Sequence, residues 1–427
     1  MAWAVFVASL GASSVHAHSA PGVTAILDED AAGVHMLRLY QGVVLREGSG
    51  WRFVCSQSYG GAGQDLAASL PGGGAVIAIP TGLVIMKRDG TVVPHPDPEA
   101  QHGLVTAFAR SAGKLYALRT HSDLLASDVI EITDRTVRVL WTDTRYWNDI
   151  AVGASSLALV RFQSDYIETQ RVSYSGEALA HETAILVDPL DATVHVIGDV
   201  PYYTVKMAGG TSLGRFEQNA WHVVLNAGNA LAGPLQLADG TVLVALDGML
   251  STFANDSATP MQETDFVIGL SQLEDHPYAC TRTGLRNVSS TALGAQLFGL
   301  SELLSPDQCL APEASRSDCE LEWQHFQIEL LGANIPVATE DGPARECVAP
   351  AANIAGMPAS IAGMTATSVE QAGTPAMGQA GAAAPTSHAS SGCNCCIMRR
   401  TEHVAGSACA MLFAFLLFVS RQRQLRA

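Results

Sequence analysis

The chain has 427 residues, enough for one large domain or two ordinary ones, and a hydrophobic fraction of 48% allows a sizeable core. Charged residues make up only 15%, and 41 acidic against 24 basic side chains leave a formal net charge of -17. An acidic surface repels phosphate backbones, which argues against nucleic acid as a partner.

Residues 1–17 carry an apolar run that ends in Val15-His16-Ala17, the small-residue spacing of a signal-peptidase site. No Lys or Arg precedes the run. The expectation is a signal peptide, export, and a compartment in which the cysteines can form disulfides. Just downstream, Asp28-Glu29-Asp30 lacks the glycine-containing pattern of a calcium loop and reads as solvated surface.

From about residue 20 to residue 300, short runs rich in Val, Leu and Ile alternate with Gly, Asp, Asn and Pro. Residues 75–79, 82–86, 157–160, 184–187 and 241–245 read as strands. Asp89-Gly90, Asp239-Gly240 and Asp247-Gly248 are hairpin-turn signals. No long stripe at helical spacing interrupts them, so the body is all-β.

A repeat gives the architecture. The segment from Gly42 to Phe53 aligns with the segment from Gly82 to Val93, 40 residues on; Asp123 and Asp165 follow at 41 and 42 residues, and Gly248 and Gly284 fall near the same phase. Forty residues is about four strands with tight turns, the size of one propeller blade. The expected fold is a β-propeller of six or seven blades over 18–300, with a pair of β-sandwiches as the alternative. Cys55 and Cys280 sit in similar strand contexts, Phe53-Val-Cys55 and Tyr278-Ala-Cys280. They are expected in neighbouring blades across the ring closure, either bonded to each other or as separate buried thiols.

Between two blades, His95, Asp97, Glu99 and His102 put two imidazoles and two carboxylates within eight residues, a donor set that suits a divalent transition metal. The competing reading is a solvated inter-blade loop. Elsewhere the sequence has no Gly-x-Ser-x-Gly elbow and no phosphate-binding Gly-rich loop, and His181-Glu182 lacks the second histidine of a metalloprotease helix. No catalytic residue is assigned and no cofactor is implied.

Residues 301–348 form a Cys-containing loop and helix. Cys309 and Cys319, ten apart, are candidates for a short disulfide loop, and Cys347 is left over. Residues 318–332 read as a helix whose apolar face gathers Leu321, Trp323, Phe326, Leu330 and Leu331. Residues 349–392 are a linker rich in Ala, Gly, Ser, Thr, Pro and Met; within 351–392 the only charge is Glu370, and Ile354-Ala-Gly-Met357 is echoed by Ile361-Ala-Gly-Met364. Such a composition buries too little apolar surface to offset the cost of ordering the chain. Residues 393–427 hold Cys393, Cys395 and Cys396, then an uncharged stretch at 404–420, then Arg421, Arg423 and Arg426. The stretch is at the short end of a membrane-spanning helix, with the arginines on the cytoplasmic side.

This order of spacer, Gly-Cys cluster, short apolar helix and arginine-rich end resembles the MYXO-CTERM sorting tail of myxobacterial surface proteins. The resemblance implies that a sorting protease processes the tail at one of Cys393, Cys395 or Cys396 and leaves the protein on the cell surface. The hairpin with Gly48-Ser49-Gly50-Trp51 is similar to a degenerate Asp-box (BNR-like) propeller repeat, lacking its Asp. The functional expectation is a surface-anchored, non-catalytic propeller that binds an extracellular protein or glycan, held to the membrane by its C-terminal helix. The alternatives are a secreted glycan-active hydrolase of the sialidase-like Asp-box type and an assembly factor for a membrane complex.

Overall fold

The computed structural model describes residues 22–61, 65–111, 113–121, 126–186, 188–262, 265–273, 276–306, 316–332 and 335. Seven antiparallel four-stranded sheets occupy residues 23–55, 66–94, 104–143, 149–185, 189–227, 231–260 and 267–299. They are blades 1 to 7 of a propeller. The first strands of successive blades adjoin one another, and the first strand of blade 1 (Val23–Asp30) adjoins that of blade 7 (Val267–Leu273), so the first strands are innermost and the ring is closed. The blade number expected as six or seven is seven.

The forty-residue repeat marks one place in every blade, the hairpin between its second and third strands. Gly42, Gly82, Gly210 and Gly284 each begin a third strand, and Asp165 and Gly248 stand immediately before one. Asp123 lies outside the described residues, between the second and third strands of blade 3. The glycine has a steric cause. At Gly82 (φ 132°) and Gly210 (φ 143°) a Cβ would stand 2.6 Å from the carbonyl oxygens of Ala100 and Ala227 respectively. The Asp-Gly signals also fall in hairpins, where Asp89 and Asp239 each accept a hydrogen bond from the backbone N–H two residues on, both at 2.9 Å.

Alternation along the strands buries one apolar set against each neighbouring blade, so the core is a ring of clusters at the blade interfaces. The largest cluster lies where the ring closes, and it holds Trp51, Phe53, Cys55, Tyr278, Cys280 and Phe298 together with side chains from after blade 7.

Those side chains belong to a strap. After blade 7 the chain returns to blade 1, where Leu303–Leu304 add a short parallel strand beside Trp51 and Arg52 on its outer edge. Helix α1 (Arg316–Gly332) then lies against the last strand of blade 1 (Gly50–Cys55). Trp323 and Phe326 each reach 5.4 Å from the Phe53 ring, and the Glu322 carboxylate accepts hydrogen bonds from the backbone N–H and hydroxyl of Ser56. The buried stripe of α1 is Cys319, Trp323, Phe326 and Leu330. Leu321 and Leu331, expected on that face, are 51% and 63% exposed, because Leu321 stands about 140° around the helix from Phe326 and Leu331 about 100° from Leu330.

A disulfide joins Cys55 to Cys319, 264 residues apart. This corrects both expected pairings. Cys319 bonds to blade 1 and not to Cys309, which lies outside the described residues. Cys280 is also disulfide-bonded, but to a cysteine other than Cys55. The two do stand in blades 1 and 7, neighbours across the closure, as the strand contexts implied.

The acidic run at 28–30 is a second correction. It is the end of the innermost strand of blade 1, and Asp28 is 1% exposed. Asp28 takes the Arg88 guanidinium and the Gly74 N–H of blade 2, while Glu29 points the other way and takes His276 and Tyr278 of blade 7. A strand turns successive side chains to opposite faces, so three consecutive acids are divided between two blades.

Candidate functional site

One face of the propeller carries the hairpins between second and third strands and the links from blade to blade. On it, blades 2, 3 and 4 gather charged side chains in two adjacent groups.

The first group forms around the link from blade 2 to blade 3. Asp97 caps a short 3-10 turn (Pro98–Gln101) by accepting the Glu99 N–H at 3.0 Å, and its other oxygen accepts the Val137 N–H at 2.8 Å. These two backbone donors hold its carboxyl below the ordinary range. His95 is buried; its Nε2 donates to the Thr133 carbonyl at 2.8 Å and its Nδ1 accepts from the Asp97 N–H at 3.2 Å. Glu99 pairs with Arg119 at 2.7 Å, and exposed His102 comes within 3.6 Å of it. The four expected metal ligands are therefore adjacent but divided among structural tasks. Both ring nitrogens of His95 and both oxygens of Asp97 are already engaged. Among the described residues no group of three His, Cys, Asp or Glu side chains is placed to hold a metal ion.

Behind this loop, buried Arg119 grips Asp128 in the next strand at 2.6 Å. Burial alone would raise the Asp128 carboxyl; the hydrogen bonds from Arg119, Thr142 and His121 outweigh it and hold the group low. Gly82, Glu99, His102, Gly103 and Arg119 line a crevice between blades 2 and 3 that is too narrow to admit a water molecule.

The second group crosses from blade 3 to blade 4. In blade 4, Arg161 and Glu168 are direct cross-strand partners and are ion-paired. Arg161 also donates to the Tyr166 hydroxyl at 3.2 Å. Arg145, in the link from blade 3, pairs with Asp143 at 2.8 Å and comes within 3.7 Å of Glu168, and His181 is 3.4 Å from the same carboxylate. Trp147 is fully buried beneath the two arginines, 5.3 Å from the Arg145 guanidinium and 6.0 Å from that of Arg161. Burial, then the two positive neighbours, press the His181 ring below its ordinary pKa, so it is held neutral more strongly than a free histidine. Arg145 and His181 keep 34% and 41% of their side-chain surface exposed, and they are the members a ligand on this face would meet.

Sequence reasoning placed the first group and missed the second. Arg161 and Glu168 are symmetric about the turn at Ser164-Asp165, as are Phe162 with Ile167 and Gln163 with Tyr166. Opposite charges equidistant from a hairpin turn are a readable sign of a cross-strand ion pair. Nothing local joins Arg145 or His181 to them, since that contact needs the blade-to-blade link and the fourth strand. Cys393, Cys395 and Cys396, the expected signal peptide at 1–17, the expected linker at 349–392 and the apolar stretch at 404–420 lie outside the described residues. Among the described residues no helix is long and apolar enough to cross a membrane.

No protein-family model and no curated protein matches the chain. Among solved structures it is similar to the extracellular domain of a putative hybrid two-component system from B. thetaiotaomicron, with 13% identity and a TM-score of 0.44, over 63% of this chain and 38% of that one. The chain thus spans well under half of that protein's length. It is also similar to a chain of a nidogen/laminin complex (9% identity, TM-score 0.32, 48% of this chain and 83% of that one) and to a putative gluconolactonase (12%, 0.32, 62% and 99%).

Proposed function

We propose that the chain is an exported, surface-held propeller that acts as a non-catalytic binding module, with the rim of blades 2 to 4 as its ligand face and an extracellular protein or glycan as its ligand. The observation that carries the export is the Cys55–Cys319 bond. It fastens the strap over the ring closure, and such a structural bond persists in an oxidising compartment and is rare in the cytosol. The charges of the rim are paired with one another, which suits a preorganised recognition surface. Surface retention is assigned to the tail at 393–427.

The test is fractionation of cells making the full chain or a chain ending at residue 392, with alkylation before non-reducing electrophoresis. Surface retention of the full chain alone, with the disulfide formed in both, supports the proposal. Reduced cytoplasmic protein, or unchanged retention without the tail, overturns it.

A second reading, a sialidase-like glycan hydrolase, has one observation in its favour: two arginines, a tyrosine and two carboxylates do converge at Arg145, Arg161, Tyr166, Asp143 and Glu168. They do so on the second and third strands of blade 4 and its link, away from the innermost strands, and each arginine is spent on a carboxylate. Hydrolysis of a fluorogenic sialoside that disappears in Glu168→Gln would replace the binding reading with this one.

A further inference from the structure

The outermost strand of a blade is a free sheet edge unless something blunts it, because alternate residues turn their N–H and C=O groups away from the sheet. Blade 1 is covered by Leu303–Leu304. The outer strands of blades 2 (Val92–Pro94) and 6 (Ser257–Pro260) are short and end in proline, which cannot donate to a ladder. In blade 3 (Val137–Asp143) Asp97 already takes the Val137 N–H, and Arg138 is exposed. In blade 7 (Leu293–Gly299) the pairing shifts register twice. Two long edges remain, Ala178–Ile185 of blade 4 and Ala220–Ala227 of blade 5, both free of proline and glycine. Neither has a further strand beside it among the described residues. The register shift of blade 5 falls in mid-strand, whereas His181–Ile185 of blade 4 pair without interruption.

The side chains of this edge have a defined order. Ile185, Thr183 and His181 are the cross-strand partners of Tyr166, Glu168 and Gln170, so the three stand on the face turned toward blade 3. Ile185 is 88% exposed, the most open large apolar side chain among the described residues. At the other end of the strip Arg145 donates to His181 Nε2 at 3.1 Å, which sets a half-exposed guanidinium beside it. We propose that the Ala178–Ile185 edge receives an extended peptide segment of a partner protein as a fifth strand of blade 4, with an acidic side chain of the peptide at Arg145 and His181 and an apolar one at Ile185. This rests on the reading of the rim as the ligand face and narrows its ligand to a protein.

Three observations carry the choice of occupant. Blade 1 shows that the fold accepts a fifth strand, since Leu303–Leu304 already lie along its outer edge. A sheet edge is satisfied along its length only by another extended backbone, which a saccharide does not offer. Charge and symmetry then separate a foreign peptide from a second copy. Paired residues share a face, so a two-fold antiparallel pairing of the edge with itself centres on a residue. The two registers of greatest overlap centre on His181 or on Glu182. The first brings Arg145 no carboxylate, and the second opposes Glu182 to its own copy, a repulsive pair. A foreign strand can set an acid opposite His181 and a base opposite Glu182. Because 181 and 185 are four residues apart on one face, its acidic and apolar side chains are also four apart, about 13 Å.

The experiment selects a phage-displayed library of random linear peptides on the full chain in detergent, with counter-selection on Ile185→Lys. Ile185 belongs to no core cluster, so its substitution leaves the propeller folded; unchanged thermal unfolding verifies this. Enriched peptides should carry Asp or Glu four positions from an apolar residue. Such a peptide, made synthetically, should slow amide exchange across 178–185 at least about tenfold. Its binding should survive Val223→Lys on the blade 5 edge, where Val223 is 48% exposed. Replacing its acid by the amide should weaken binding to the unsubstituted chain at least about tenfold, and should have no further effect in Arg145→Gln. The proposal is overturned if no peptide distinguishes the two proteins, if binding leaves exchange at 178–185 unchanged, or if the acid matters equally in Arg145→Gln. A dimer that Ile185→Lys dissolves also overturns it and assigns the edge to a second copy. An acidic oligosaccharide that needs Arg145 and not Ile185 overturns strand addition while leaving the rim as the ligand face. None of these outcomes bears on surface retention, so this inference and the proposed function fail separately.

Discussion

Glu29 accepts a hydrogen bond from the hydroxyl of Tyr278, a residue 249 positions later in the chain. The two side chains meet where the first blade, made early, must be joined to the seventh, made last. His276 adds a second contact to the same carboxylate oxygen at 2.6 Å. The Glu29 side chain is only 11% exposed, and the contact raises the Tyr278 hydroxyl above its ordinary pKa, with burial as the larger cause and the carboxylate the second. Glu29→Gln keeps the shape and removes the charge. It should cost about 1–2 kcal/mol of stability, read from the urea midpoint, and Tyr278→Phe about 1 kcal/mol. Additive losses in the double variant would show that the two groups do not act as a pair.

The strap closes the ring from outside. Breaking Cys55–Cys319 by Cys319→Ser frees a loop of 264 residues and should lower stability by about 2–5 kcal/mol. The loss should appear with increased exchange in the Gly50–Cys55 strand, which α1 covers. Unchanged stability in Cys319→Ser would mean that Trp323, Phe326 and Glu322 hold the helix without covalent help.

How far the sequence carries depends on how local each cause is. The blade repeat was legible where its cause is backbone against backbone, as at Gly82 and Gly284, where an added Cβ would meet the carbonyl oxygens of Ala100 and Phe298. The Asp-Gly hairpins were legible for a different local reason: Gly90, Gly240 and Gly248 take φ of 83°, 85° and 88°, which a side chain disfavours. Asp28-Glu29-Asp30 misled because a run of acids usually faces water, and only the pleat of an innermost strand, with Arg88 and Tyr278 waiting on either side, makes it structural. The Cys55–Cys319 bond was illegible in principle, since its partners meet only after seven blades have closed. At the rim, His95 to His102 was visible as a cluster of ligand types. Its actual work, capping a turn and bracing Arg119, appears only when Thr133 and Val137 of the next blade are in place.

Two glycines should respond differently to the same change. Gly82→Ala places a Cβ 2.6 Å from the Ala100 carbonyl at φ 132° and should cost about 2–4 kcal/mol. Gly48 has φ 59° and no atom within 4 Å of an added Cβ, so Gly48→Ala should cost about 1 kcal/mol. Thermal unfolding of the two variants side by side checks the steric account, and equal losses would remove it.

His195, in the innermost strand of blade 5 (Pro189–Ile197), is pushed down to about 4 by burial. An unfolded histidine titrates near 6.5. The unfolded chain therefore binds a proton between these values while the folded chain does not. The stability this neutral histidine permits is fully present above about pH 6.5 and falls by about 1.4 kcal/mol per pH unit as the pH drops toward 4. Urea midpoints measured across that window should slope less in His195→Gln than in the unsubstituted protein, and parallel slopes would show that the ring is not desolvated.

The ion pair beneath the rim offers the last test. Arg161 and Glu168 have side chains 13% and 12% exposed, packed near Trp147. Removing one member of such a pair leaves the other charge in a poor solvent, whereas removing both leaves none. Arg161→Met should therefore cost about 2–4 kcal/mol, softened by the remaining contacts of Glu168 with Arg145 and His181. Arg161→Met with Glu168→Leu should recover most of that loss. Recovery of stability without recovery of ligand binding would locate recognition in the charges themselves, while recovery of both would leave the rim a brace between blades 3 and 4.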